Sequence, residues 1–242
     1  MTGTAHFDWG IDGALALPDS VIAVAIVDVL SFSTCVDVAV SQGAEVAPYP
    51  FGVQGAREEA ARIGASVVGK RSDPDACYTL SPESLLDIEA GTQLLVPSPN
   101  GSATAHALGA RVAYAGCFRN RCAVAAALKR HCREGDVAVI AAGERWPESG
   151  GLRPAIEDLL GAGAILDALD KPAGSDAGLA RASWAWAQEN LERVVMESPS
   201  GQELIGRGFA GDVTVALELD TSKTAPCRTG TFFRDVAAGG AF

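Results

Sequence analysis

Val21-Ile22-Ala23-Val24-Ala25-Ile26-Val27 runs without interruption into Asp28-Val29-Leu30-Ser31-Phe32-Ser33-Thr34, and the first half of that stretch decides the fold. A strand with one wet face alternates apolar and polar residues; an unbroken apolar run rich in Val and Ile suits a strand buried on both faces of a largely parallel sheet. Runs of the same kind recur outward from it, at 46–48, 66–69, 93–96, 111–115 and 137–141. Between them lie amphipathic segments. Residues 54–63 place Ala56, Ala60 and Ile63 on one helical face, 119–130 do the same with Val124, Ala125 and Leu128, and 154–169 repeat Ile156, Leu160 and Ala164, with Pro154 suited to a first turn. From Ser175 a long helix is expected through Trp184 and Trp186 to Val195, then a short helix near 202–205 and a strand over 213–219.

The alternation predicts an α/β fold: three layers, α/β/α, around a largely parallel or mixed sheet, with a helical C-terminal elaboration. Residues 1–242 read as one domain, and the break near 171–175 marks the start of a candidate C-terminal subdomain, 172–242.

At 242 residues and 48% hydrophobic, the chain can bury a core without crosslinks. Its six cysteines lack the paired spacing of a zinc site and read as reduced. A net charge of −11 repels phosphodiester backbones, which argues against a nucleic-acid partner. No apolar stretch approaches the roughly 20 residues of a membrane span, and no basic segment opens into an apolar run. The expectation is a soluble, cytoplasmic protein without a membrane partner. Trp146, Trp184 and Trp186 are read first as core residues and second as candidates for a homodimer interface.

Ligands of open α/β sheets collect beyond the carboxyl ends of the strands, so the loops there carry the functional argument. Asp28 ends the first of these strands. The helix expected at 35–42 has Ser33 in position to cap it and free N–H groups to offer an anion. Pro97-Ser98-Pro99-Asn100-Gly101-Ser102 forms a hydroxyl-rich turn in which Asn-Gly supplies a positive φ. Gly116-Cys117-Phe118-Arg119-Asn120 offers a guanidinium and an amide. Ala142-Gly143-Glu144-Arg145 follows the sixth strand and leads to Glu157 and Asp158 in the first turn of a helix. Such acids gain from the helix dipole, but one of two neighbours should face the crevice. Mg²⁺ takes one or two carboxylates together with substrate oxygens, and Asp28 with Glu157 or Asp158 would supply them.

Several motifs fail. Gly64 to Arg71 nearly spells a P-loop but ends in Arg, and its glycines flank a strand. The aspartyl-phosphate pattern needs an acid where Leu30 stands. His6, His106 and His131 lack metal-ligand spacing.

DVLSFST from Asp28, SPNGS from Ser98, GCFRN from Gly116, AAG from Ala141, IEDLLGAGAIL from Ile156 and SPSGQELIGRGF with DVTVALELD near the C-terminus together resemble the 2-phosphosulfolactate phosphatase family. These are Mg²⁺-dependent acid phosphatases of coenzyme M biosynthesis and their bacterial relatives. The resemblance implies hydrolysis of a phosphate monoester on a small anionic hydroxy acid, with Mg²⁺ as cofactor held by Asp28, Glu157 and Asp158. It implies a catalytic set of Asp28, Ser33, Glu157 and Asp158. Substrate oxyanions would be oriented by Thr34, Arg71, Ser98, Asn100, Gly101, Arg119, Asn120 and Gly143. The chain departs from the pattern in three places. Ser31 stands where Arg is usual, Gly69-Lys70-Arg71 and Leu80-Ser81-Pro82 replace a GER and NSP segment, and Ala141 stands where Cys is common. These departures leave two alternatives: a family member recruited to another reaction on a phosphorylated or sulfonated acid, or a non-catalytic anion-binding protein.

Overall fold

The computed structural model describes residues 3–237. Strand and helix alternate through β1 (Ala5–Trp9), α1 (Gly10–Ala16), β2 (Val21–Val27), α2 (Phe32–Ser41), β3 (Glu45–Tyr49), α3 (Val53–Ile63) and β4 (Ser66–Val67). The alternation continues with β5 (Gln93–Pro97), α4 (Gly101–Ala107), β6 (Val112–Gly116), α5 (Arg121–His131) and β7 (Asp136–Ala141). A short ribbon, β8 (Glu144–Arg145) with β9 (Leu152–Arg153), leads into α6 (Ile156–Leu169), α7 (Ser175–Ala187), α8 (Leu191–Met196), α9 (Pro199–Gly206) and α10 (Ala210–Ala216). A hairpin of β10 (Pro226–Thr229) and β11 (Phe232–Asp235) follows.

Nine strands form one sheet in the order β1-β7-β2-β6-β10-β11-β3-β5-β4. β1, β7, β2 and β6 pair in parallel, as do β3, β5 and β4, and the antiparallel hairpin β10–β11 joins the two blocks. The sheet is therefore mixed, with helices on both faces: a three-layer α/β/α fold.

β2 shows why its sequence is apolar throughout. Ala23, Ala25 and Val27 pack into the core under α5, α6 and α7, while Val24 and Ile26 pack into the opposite core under α1, α2 and α4. A polar residue at either parity would be buried without a partner, at a cost of roughly 1–3 kcal/mol.

Several local expectations are corrected. Residues 213–219 are not a strand: α10 covers Ala210–Ala216, with Val213 and Ala216 buried one helical turn apart. The expected helix through Val195 breaks at Gln188–Asn190, which form a 3₁₀ turn between α7 and α8. α2 starts at Phe32, three residues earlier than expected. α6 starts at Ile156, because Leu152–Arg153 pairs with β8 and Pro154 leads out of that strand. β1, α1 and the β10–β11 hairpin were not anticipated.

Trp184 is buried against Phe118, whereas Trp146 and Trp186 are exposed. The six cysteines are free, with Cys35, Cys117, Cys132 and Cys227 buried. Among the described residues no helix is long and apolar enough to cross a membrane.

Candidate active site

β2 stops at Val27, and the next residue places a carboxylate at the strand end. Asp28 Oδ1 accepts the Phe32 N–H (3.1 Å) and Oδ2 accepts the Gly101 N–H (2.9 Å), so one side chain holds the first turns of both α2 and α4. The glycine is needed for space, not for a positive φ: a Cβ on residue 101 would overlap the Phe32 ring. Asp28 is buried, and burial pushes its carboxyl up to about 6 against the pull of those two N–H donors.

Ser33 does not cap α2. The N-cap is Ser31, and Ser33 Oγ donates to the Ile26 carbonyl (2.9 Å) while accepting the Asp28 N–H (3.1 Å). Thr34 Oγ1 donates to the Val29 carbonyl (2.7 Å). Both hydroxyls are fully buried and spent on tying the loop back onto β2. They fix where Asp28 stands.

The adjacent acids opening α6 are both buried, and their environments differ. Asp158 accepts the Val29 N–H (2.7 Å) on Oδ1 and the Gly143 N–H (2.9 Å) on Oδ2, which staples the loop after β2 to the loop after β7. Gly143 is there by necessity: its φ is +66°, and a Cβ would lie 2.6 Å from Leu152 Cδ1 and 3.1 Å from the Arg153 carbonyl oxygen. Glu157, 1% exposed, leaves Oε2 buried with no hydrogen-bond partner among the described residues. A buried carboxylate oxygen without a donor is costly and calls for a ligand or a function.

A fourth acid joins them that the sequence reading passed over. Glu144 Oε2 accepts from Asn100 Nδ2 (2.8 Å). Burial pushes its carboxyl up to about 7, and the charges of Asp28 and Glu157 add to that rise. Asp158 is raised by burial first, then by Asp28, Glu157 and Glu144. Four carboxylates thus lie within one another's field. The available signal was positional: Glu144 follows the end of β7 by three residues, in a loop equivalent to the one carrying Asp28.

Other expected residues are engaged in structure. Arg71 pairs with Asp212 (2.7 Å) and donates to Ser31 Oγ, yet its charge still reaches Asp28. Ser81 also binds Asp212, which therefore anchors both. Ser98 Oγ accepts the Asn100 N–H (3.4 Å). Asn120 shapes its own turn, accepting the Cys117 N–H (2.9 Å) and donating to the Ala115 carbonyl (3.1 Å). Arg119 is not brought to the acid cluster: its guanidinium is held by Asp37 (2.9 Å), by Glu218 and by the Val215 carbonyl. Asp37 is completed by Ser222 (2.7 Å) and Thr224 (2.9 Å). Arg119→Ala strands a buried carboxylate and is expected to cost about 3–5 kcal/mol of stability. Thermal unfolding checks the loss, and a folded variant with normal stability and a raised KM would restore Arg119 to the substrate.

The donors of the cluster are all oxygens, which suits a hard cation such as Mg²⁺ and not zinc. Among the described residues no three His, Cys, Asp or Glu side chains stand as a preformed cage. Mg²⁺ needs none, since it takes one or two carboxylates and fills its remaining positions with water and substrate. Glu157, with its unpartnered oxygen, and Asp28, with a lone pair left on each oxygen, fit that demand.

Fold and site together define a three-layer α/β protein with a buried cluster of acids built from strand-end loops and the first turn of one helix. The chain belongs to the 2-phosphosulfolactate phosphatase family: the family model described as 2-phosphosulpholactate phosphatase matches residues 11–230. A "Probable 2-phosphosulfolactate phosphatase" of Pseudothermotoga lettingae is 27% identical over 135 residues. That match spans 55% of this chain and 56% of the relative, little more than half of either.

Proposed function

We propose that this protein hydrolyses a phosphate monoester of a small hydroxy acid of the 2-phosphosulfolactate type, with Mg²⁺ as cofactor. The observation that carries the reading is the Glu157 carboxylate, buried with an unpartnered oxygen beside Asp28, Glu144 and Asp158 in a chain of this family. Three buried acids with a half-buried fourth are expensive to hold together, and scaffolding does not require them.

Asp28 and Glu157 would hold the Mg²⁺, with Asp158, beside Glu157 in α6, fixing to that helix the loops that carry Asp28 and Glu144. Bound there, Mg²⁺ supplies charge neutralisation for the phosphoryl oxygens. Arg71 adds positive charge on the Asp28 side. Glu144, held near neutrality, can exchange a proton with water or the leaving oxygen at physiological pH. Asn100 sets the orientation of Glu144. Ser33 and Thr34 act through the backbone of the Asp28 loop, since their hydroxyls are already used.

Ser31, where the family usually has Arg, receives Arg71, so the phosphate-side charge is delivered differently here and the preferred acid is open to choice by experiment. Inorganic phosphate release is measured from 2-phosphosulfolactate and a panel of phosphorylated hydroxy acids, with Mg²⁺ or EDTA. Release that Mg²⁺ restores after EDTA treatment is the expected result, and the best panel member names the substrate. A folded, Mg²⁺-binding protein that releases phosphate from no ester overturns the reading in favour of a recruited enzyme or an anion binder.

A further inference from the structure

The ribbon β8–β9 pairs Glu144 with Arg153 across its two strands. Side chains directly opposite on an antiparallel pair share a face, and opposite charges there usually close on each other. These two do not. Glu144 turns to Asn100 in the acid cluster, while Arg153 contacts Ser200 Oγ (3.3 Å) and stacks over Trp146 (5.9 Å to the ring centre). Among the described residues Arg153 has no carboxylate in ion-pair contact, in contrast to Arg71, Arg119 and Arg121, each of which is neutralised. The half-buried Arg153 guanidinium thus keeps hydrogen-bonding capacity to spare, and its charge reaches Glu144 without closing on it.

Arg153 and Trp146 line a cleft of about 440 Å³ together with Glu144, Ile156 and Pro199, a volume in the range of small-ligand sites. Glu144 also lines a neighbouring cleft of about 260 Å³ that contains Asn100. One residue is thus shared between the acid cluster and the cleft that holds Arg153, which Arg145 and Glu203 also line.

We propose that Arg153, braced by Trp146, receives the acidic group of the substrate that is not transferred, a carboxylate or sulfonate; this rests on the phosphatase reading above. The acid cluster binds the phosphoryl end only when its own charge is neutralised, and it repels any second anion. A hydroxy-acid ester therefore needs a second cation at the edge of the cluster, and Arg153 stands there, across the ribbon from Glu144. Arginine suits the task because its planar fork donates two parallel hydrogen bonds to such a group. The site gives the enzyme its preference for acids over plain alkyl phosphates.

The test uses a matched pair of esters, 2-phospholactate and isopropyl phosphate, which differ by a carboxylate in place of a methyl. Arg153→Gln is expected to raise KM for 2-phospholactate roughly 10- to 100-fold, the worth of hydrogen bonds to a charged group, with kcat and the isopropyl phosphate kinetics little changed. Arg153→Lys should fall between the two. Calorimetric binding of sulfolactate, which needs no turnover, is expected for the wild type and weakened to the same degree in Arg153→Gln. Ser200→Ala removes the side-chain partner of Arg153 and should leave the discrimination intact. The proposal is overturned if Arg153→Gln binds sulfolactate as the wild type does, if the wild type does not bind it, if both esters lose equally, or if Ser200→Ala reproduces the effect. A wild type that hydrolyses neither ester yet binds sulfolactate through Arg153 would remove the phosphatase reading and keep the anion site.

Discussion

Asp28→Asn is expected to lower phosphate release by on the order of 10³-fold while the protein still folds. The substitution preserves shape and removes the charge. Asp28 accepts N–H groups on both oxygens, from Phe32 and from Gly101, and an amide can accept only one of them. The other faces an NH₂ group, so one of the two helix starts loses its anchor. Against that loss stands a gain: the carboxyl is buried and held at about 6, which means its ionised form is strained where it sits. The two effects oppose each other in stability, and both lower activity, because the charge that would hold Mg²⁺ and the position of the α2 and α4 first turns change together. Initial rates, a Mg²⁺ titration and thermal unfolding separate the contributions. A variant that keeps more than about a tenth of the wild-type kcat would place the chemistry elsewhere, since removal of one charged group from a site of this kind costs far more.

How much of this could be read from the chain alone depended on the range of the interactions involved. β2 was legible because burial on both faces leaves a local mark, an unbroken apolar run, and the loop after it was legible because it follows such a run. Glu157 and Asp158 were visible as a pair, but their division of labour was not. It depends on which N–H lies opposite: Val29, 129 residues away, and Gly143, 15 away, both choose Asp158. Ser33 misled for a related reason. A serine near a helix start is commonly a cap, and here the hydroxyl turns back to Ile26 because the helix begins one residue before it. Arg119 looked free in its loop, and the acid that neutralises it, Asp37, comes from a helix 82 residues earlier. Arg71 and Asp212 are 141 apart, and Asp212 lies in a segment whose alternating Val213, Val215 and Leu217 fit a strand as well as a helix. Packing against α9 and the rest of that core decided for the helix. The β10–β11 hairpin carried one local mark, Gly230 at φ +69° in the two-residue turn between its strands, and it owes its place in the sheet to its neighbours β6 and β3.

In EDTA the protein is expected to lose stability as pH rises from about 5 to about 8, the reverse of ordinary acid denaturation, and Mg²⁺ to remove most of that loss. Asp28 is raised from 3.8 to about 6 and Glu144 from 4.5 to about 7, in both cases by burial first, and Asp158 and Asp37 are raised in the same sense by burial. A carboxyl whose folded value lies above its unfolded one binds more protons in the native state between the two values. Its contribution is fully present below the unfolded value and is lost as pH climbs through the folded one. For Asp28 alone the whole change, from below 3.8 to above about 6, corresponds to about 3 kcal/mol, of which about 1.4 kcal/mol falls above pH 5, or roughly 3–6 °C in Tm for a chain of this size. The acids that are lowered instead, Glu45 by Arg234 and Asp136 by the Thr4 N–H, withdraw their stabilisation at lower pH and leave this window clear. Mg²⁺ binds the ionised cluster and not the protonated one, so its stabilisation should be large near pH 8 and small near pH 5. Glu157→Gln removes one charge from the cluster, and it should raise Tm in EDTA at pH 8 while abolishing both the Mg²⁺ effect and activity. Calorimetric scans of wild type and Glu157→Gln across this range, with EDTA or Mg²⁺, read all of these at once. A wild-type Tm in EDTA that is flat or rises with pH would mean that the acids are hydrated and do not repel one another, and would remove the physical reason for placing the cation among them.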